Sequence, residues 1–161
     1  MLRVLGFTLL AILAATACTK EPDFPDTPEI SFERIDSNMI RQRVDSAFII
    51  INFTDGDGDI GSSENERNIF LIDTRASQDD TIGRAMPPVP SFVENSGISG
   101  EIRLPISTCC EPPPGEEGCL PVTDMFPDFQ RDTVIYKVYI VDRAGNQSNT
   151  ITVDPIFLLC D

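Results

Sequence analysis

From Glu29 onward the chain alternates apolar and polar residues with a period of two, the spacing of a half-buried β-strand. Ile30 and Phe32 sit between polar neighbours and predict a first strand. Ala47 to Phe53 is apolar at every position but Asn52, which predicts a central strand buried on both faces. Asn68 to Asp73 holds Ile69-Phe-Leu-Ile72, a further buried strand. In Glu101 to Ile106, the residues Ile102, Leu104 and Ile106 fall on one face and Glu101 and Arg103 on the other. Asp132 to Val141 predicts the longest strand, with Val134, Tyr136, Val138 and Ile140 inward. Asn149 to Leu159 follows, interrupted by Pro155 as an edge strand or bulge allows. The long segment 74–100 is read as mostly loop, with one irregular strand near Ser91 to Val93. Past the first 17 residues no long window holds a helical period. The fold class expected is therefore all-β, an immunoglobulin-like antiparallel β-sandwich of about seven strands.

The start of the chain has a different pattern. Met1-Leu-Arg3 is short and charged, and Val4 to Ala15 is apolar but too short to span a bilayer as a mature helix. Residues 1–17 read as a signal peptide, and Ala15-Thr-Ala-Cys18 resembles a bacterial lipobox, with Ala15 where Leu is commonest. The resemblance implies that Cys18 is lipidated and anchors the protein to a membrane. A plain secretory signal cut near Ala17 is the alternative. Residues 18–28 contain three prolines and little to bury, and read as an extended tether to a domain at 29–161.

Cysteine and charge narrow the classes. Five cysteines less a lipidated Cys18 leave Cys109, Cys110, Cys119 and Cys160, and export favours two disulfides among them. Zinc is the rival for four thiols, weakened by the absence of histidine and of a CxxC pair. A bond between the adjacent Cys109 and Cys110 would be strained. One of the two is expected to close a short loop to Cys119 and the other to reach Cys160, in the Pro/Gly/Glu-rich excursion at 107–131. The net charge of −14 disfavours a nucleic-acid partner or an anionic lipid surface. The lack of histidine also removes the commonest general base.

The candidate chemistry is concentrated in Thr54-Asp-Gly-Asp-Gly-Asp-Ile-Gly61. Asp55, Asp57 and Asp59 repel one another unless a cation holds them, and Ca²⁺ seeks 6–8 oxygens of this kind. Counting from Asp55, Glu66 takes the twelfth position of an EF-hand loop. Ile60 stands where that loop needs glycine, however, and the flanks are strands, so an EF-hand is excluded. A second turn, Asp142-Arg-Ala-Gly-Asn146, follows the longest strand. If the flanking strands are B, C, F and G of an immunoglobulin-like sandwich, both turns lie at one end. Asp142 and the Asn146 carbonyl would then complete the shell begun by the aspartates. That end also adjoins the start of the first strand, where the tether joins.

Asn52 to Gly61 together with Val141-Asp-Arg-Ala-Gly-Asn-Gln-Ser-Asn149 resembles the paired signature of uncharacterised Bacteroidetes-type lipoproteins with an immunoglobulin-like domain. The resemblance implies that fold and a cell-envelope address, at the outer membrane or cell surface, and no activity. The expectation is a non-catalytic, Ca²⁺-stabilised module that binds another envelope protein or a glycan or is structural; the alternative without a metal is a purely structural envelope lipoprotein whose acidic turn is a solvated hairpin. The enzyme alternative would set Asp57 and Glu66 on a glycosidic bond. It is disfavoured because the acids lie on Gly-rich turns and the chain has no Trp and only two Tyr.

Overall fold

The computed structural model describes residues 23–61, 66–75, 80–86, 96–110, 119 and 131–160. The expected signal peptide, Cys18 and the strand near Ser91 to Val93 lie outside them. Among the described residues there is no helix, so none is long and apolar enough to cross a membrane.

Among the described residues ten strands form three sheets. The first has the order β1 (Glu29–Ile35), β3 (Ala47–Asp55), β6 (Ile98–Ile106), all antiparallel. The second has the order β5 (Asp80–Arg84), β4 (Ile69–Asp73), β8 (Tyr136–Ile140), β9 (Ile151–Thr152), also antiparallel. A small third sheet sets β10 (Ile156–Leu159) antiparallel to β7 (Arg131–Val134) and parallel to β2 (Met39–Arg41).

Alternation explains the packing. Ala47, Ile49, Ile51 and Phe53 of β3 join Ile30, Ile102 and Leu104 in one buried cluster with Ile69, Leu71, Val138 and Ile140 of the other large sheet. The two inner faces thus share a single core, as a β-sandwich requires. Ile50, on the outer face of β3, is buried as well, in keeping with a run apolar on both faces.

The long runs do not stay in one sheet. The run 132–141 breaks at Ile135, whose carbonyl accepts from the Thr74 N–H at 3.1 Å and the Thr74 hydroxyl at 2.9 Å. Before that point the chain pairs with β10, and after it with β4 and β9. The last run divides into β9 and β10 around Asp154-Pro155, because Pro155 has no N–H for a ladder. These two breaks, with the short β2 and β5, raise the strand number above the seven expected.

The end of the sandwich where β3 begins is a covalent and ionic corner. Cys109 bonds Cys119 and Cys110 bonds Cys160, which fixes the pairing that the sequence left open. Buried Gln42 ties this corner together. Its side chain donates to the Cys160 carbonyl and accepts from the Cys110 N–H at 3.2 Å, and its own N–H donates to Leu159 at 2.9 Å. Arg75 bridges Asp73 and Asp132 and donates to the Cys109 carbonyl at 3.1 Å. Ala47 pairs with Ile106 and Asp55 with Ile98, so the acidic turn lies at the opposite end.

Candidate metal centre

Strand parity builds the site. Ala47, Ile49, Ile51 and Phe53 point inward, and the next inward position is Asp55. In the opposite sheet Tyr136, Val138 and Ile140 point inward, and the next inward position is Asp142. Each sheet therefore delivers one carboxylate between the layers at the same end. Asp55 is 0% exposed and Asp142 6%.

The turn after Asp55 closes over it. The Ile60 N–H donates to Asp55 Oδ2 at 3.0 Å, and Ile60 itself is buried. Gly58 takes φ 71°, a left-handed value that costs glycine little. Asn68, just ahead of β4, buttresses the turn from the side. Its Nδ2 donates to the Ile60 carbonyl at 2.9 Å, and its Oδ1 accepts from the Met86 N–H at 2.7 Å.

As a result Asp55, Asp57 and Asp59 each bring a carboxylate oxygen within 4.8 Å of the others. Unscreened by a cation, two full charges at such a spacing repel by roughly 3 kcal/mol at an effective dielectric of about 20. Asp55 Oδ1 and Asp59 Oδ1 are buried and have no hydrogen-bond partner. An unpartnered buried carboxylate oxygen is costly, and native folds rarely leave one without a compensating group. Burial, then the charge of Asp57, push the Asp55 carboxyl up to about 6, with Asp59 and Asp142 adding to the rise and the Ile60 N–H opposing it. Asp59 is raised by burial first and by Asp142 and Asp57 next.

The second turn meets the first directly. The Arg143 N–H donates to the Asp59 carbonyl at 3.3 Å, and Arg143 Nε to the same oxygen at 3.2 Å. Asn146 braces Asp142 from behind: its backbone N–H donates to Oδ1 at 2.7 Å and its Nδ2 to Oδ2 at 2.8 Å. The Asn146 carbonyl accepts the Asp142 N–H at 3.1 Å. Of the six candidate ligands, then, the structure clusters Asp55, Asp57 and Asp59. It sets Asp142 against them from the facing sheet and turns Asn146 onto Asp142. Glu66 is exposed, on the wall of an adjoining cavity of about 350 Å³ that Asp142, Arg67, Asn68 and Phe70 also line.

Two residues that sequence reasoning passed over complete the frame. Ser148 Oγ accepts the Ile140 N–H at 3.0 Å, pinning the return strand. Asn149 reaches across to the other sheet, where its Oδ1 accepts the Ile30 N–H and its Nδ2 donates to the Ile30 carbonyl, both at 2.8 Å. Both lie in the Asp142–Asn149 stretch singled out above, but a polar residue after a turn gives no sign of a partner 119 residues away.

The donor set is all oxygen, carboxylates first, which suits a hard cation and not zinc or copper. In comparisons with known proteins the chain matches no family profile, no curated protein and no solved structure.

Proposed function

We propose that this is a Ca²⁺-stabilised, non-catalytic β-sandwich module, exported and held at the cell envelope by a lipid on Cys18. The observation that carries the metal reading is the pair of buried, unpartnered oxygens on Asp55 and Asp59 inside a cluster of three aspartates. A cation there would partner both oxygens and cancel the mutual repulsion. Asp142 supplies further negative charge from the facing sheet. The two disulfides suit an oxidising compartment, in keeping with an export signal. A binding or structural role, toward an envelope protein or a glycan, is favoured over catalysis by the setting of the acids. Asp57 lies in the cluster and Glu66 is open to water, whereas a carboxylic general acid works from an apolar cleft.

Titration calorimetry with Ca²⁺, and melting with Ca²⁺ or a chelator, test the metal. Ca²⁺ should raise the melting temperature, and Asp57→Asn should abolish the rise. A wild-type protein that neither binds nor responds would reduce the cluster to a solvated acidic turn. For the anchor, labelling with a fatty acid in cells should mark the wild type and not Cys18→Ser, and equal labelling of both would remove Cys18 from the proposal.

A further inference from the structure

We infer that the acidic turn is a cation-dependent latch for the segment that leads into the domain, residues 23–28. The inference rests on the Ca²⁺ reading above and adds a regulated contact to it. Gly56, between Asp55 and Asp57, is the point of attachment. Its N–H donates to the Pro25 carbonyl at 2.8 Å. A Cβ at Gly56 would run into the Phe24 carbonyl oxygen and the Pro25 carbonyl, so the segment lies directly on the turn. Gly56 is not among the residues with positive φ, so space for the incoming chain, and not backbone conformation, is what demands glycine here. The contact continues into β1, where Glu29 pairs with Thr54 and Asn149 holds both backbone groups of Ile30.

Charge makes the contact conditional. The segment reads Asp-Phe-Pro-Asp-Thr-Pro and carries Asp23 and Asp26, both exposed. It docks on a turn that already holds Asp55, Asp57 and Asp59, with buried Asp142 on the neighbouring turn that Arg143 joins to Asp59. Without a cation, docking adds like charge to like charge. Ca²⁺ in the cluster would offset two of these charges and weaken the repulsion on the segment. Cation and segment therefore favour one another, and by linkage each must strengthen the other by the same factor. A domain tethered through this segment would be held at a fixed orientation when the cation is bound and released to swivel when it is not.

The test uses the full chain with CaCl₂ or a chelator. Backbone relaxation and hydrogen exchange of the Phe24, Asp26 and Thr27 amides should show them mobile in chelator and ordered in Ca²⁺. Pro25→Gly, which leaves every aspartate in place, should weaken Ca²⁺ binding about 2–5-fold by freeing the undocked segment. Asp23→Asn/Asp26→Asn should leave the segment ordered even in chelator. Calorimetric binding with unchanged Phe24 and Asp26 amides, or with full affinity in Pro25→Gly, overturns the latch and leaves the metal site standing. No binding to the wild type overturns both.

Discussion

Replacing Asp55 with Asn should move stability in opposite directions with and without Ca²⁺. In the metal-free protein Asp55 is a buried carboxylate whose pKa rises from 3.8 to about 6. A shift of two units corresponds to about 3 kcal/mol, since each unit is 1.36 kcal/mol. The sign follows from linkage. Between about pH 4 and 6 the folded state holds a proton that the unfolded state has released, so stability falls as pH rises through this window. At pH 7 the full cost is present. Asn keeps an oxygen for the Ile60 N–H, carries no charge, and offers an N–H₂ toward the oxygens of Asp57 and Asp59. Metal-free Asp55→Asn should thus be more stable than wild type by up to about 3 kcal/mol, a rise of roughly 5–10 °C in melting temperature for a domain this size.

With Ca²⁺ the order changes. A ligand at a thousand times its Kd stabilises by about 4.1 kcal/mol, more than the wild-type deficit. Asp55→Asn has lost a carboxylate ligand and should gain little. Scanning calorimetry of both proteins, in chelator and in Ca²⁺, between pH 4.5 and 7.5, reads all of this. In chelator the wild-type melting temperature should climb as pH drops from 7 toward 4.5, while that of Asp55→Asn stays level. The Ca²⁺-induced rise in wild type should shrink below pH 6 as protons compete for Asp55. If Asp55→Asn melts below wild type in chelator, burial of this charge is not a cost and the reasoning fails. If it keeps the full Ca²⁺ response, Asp55 is not a ligand.

Asn149→Ala leaves the Ile30 N–H and carbonyl without partners across the sheets. It should cost roughly 2 kcal/mol in urea unfolding, and a loss under about 0.5 kcal/mol would mean that water replaces the side chain. Arg75→Met removes the guanidinium that bridges Asp73 and Asp132 at the disulfide corner. A loss of about 3 kcal/mol is expected in the same assay, with Ca²⁺ affinity unchanged because the two sites occupy opposite ends. Replacing Cys110 and Cys160 together opens a link of sequence separation 50, against 10 for Cys109 and Cys119. Chain entropy then predicts losses of about 4 and about 3 kcal/mol, and the reverse order would show that the short loop stores more than its length implies.

The parts of this fold that could be read from the chain are those where one physical demand acts on many residues at once. A strand with one buried face must alternate, and so Glu101 to Ile106 announces itself, while a strand buried on both faces must be apolar nearly throughout, as Ala47 to Phe53 is. The breaks are a different matter. The run 132–141 keeps Val134, Tyr136, Val138 and Ile140 in one phase, and the contact at Ile135 comes from Thr74 just past β4, which no local pattern records. β2 has only Ile40 buried among its three residues, too little for a period to form. Gln42, Asn68 and Asn149 look like ordinary loop polars, and their value lies wholly in partners distant along the chain.

The candidate metal centre divides along the same line. Three aspartates alternating with glycine are visible by composition, but composition does not separate a solvated turn from a cradle. What separates them is parity carried one step beyond the last apolar residue. Phe53 points inward, so Asp55 must, and Ile140 points inward, so Asp142 must. Two strands from facing sheets that both end in an inward carboxylate at the same end place negative charge between the layers, where water cannot solvate it. That arrangement is unfavourable for an empty turn and favourable for one that holds a cation. Asp57, displaced from both strands and only partly buried, joins the cluster through the turn's glycines alone. Asp55 and Asp142 therefore set the depth of the site, and Asp57 and Asp59 close it.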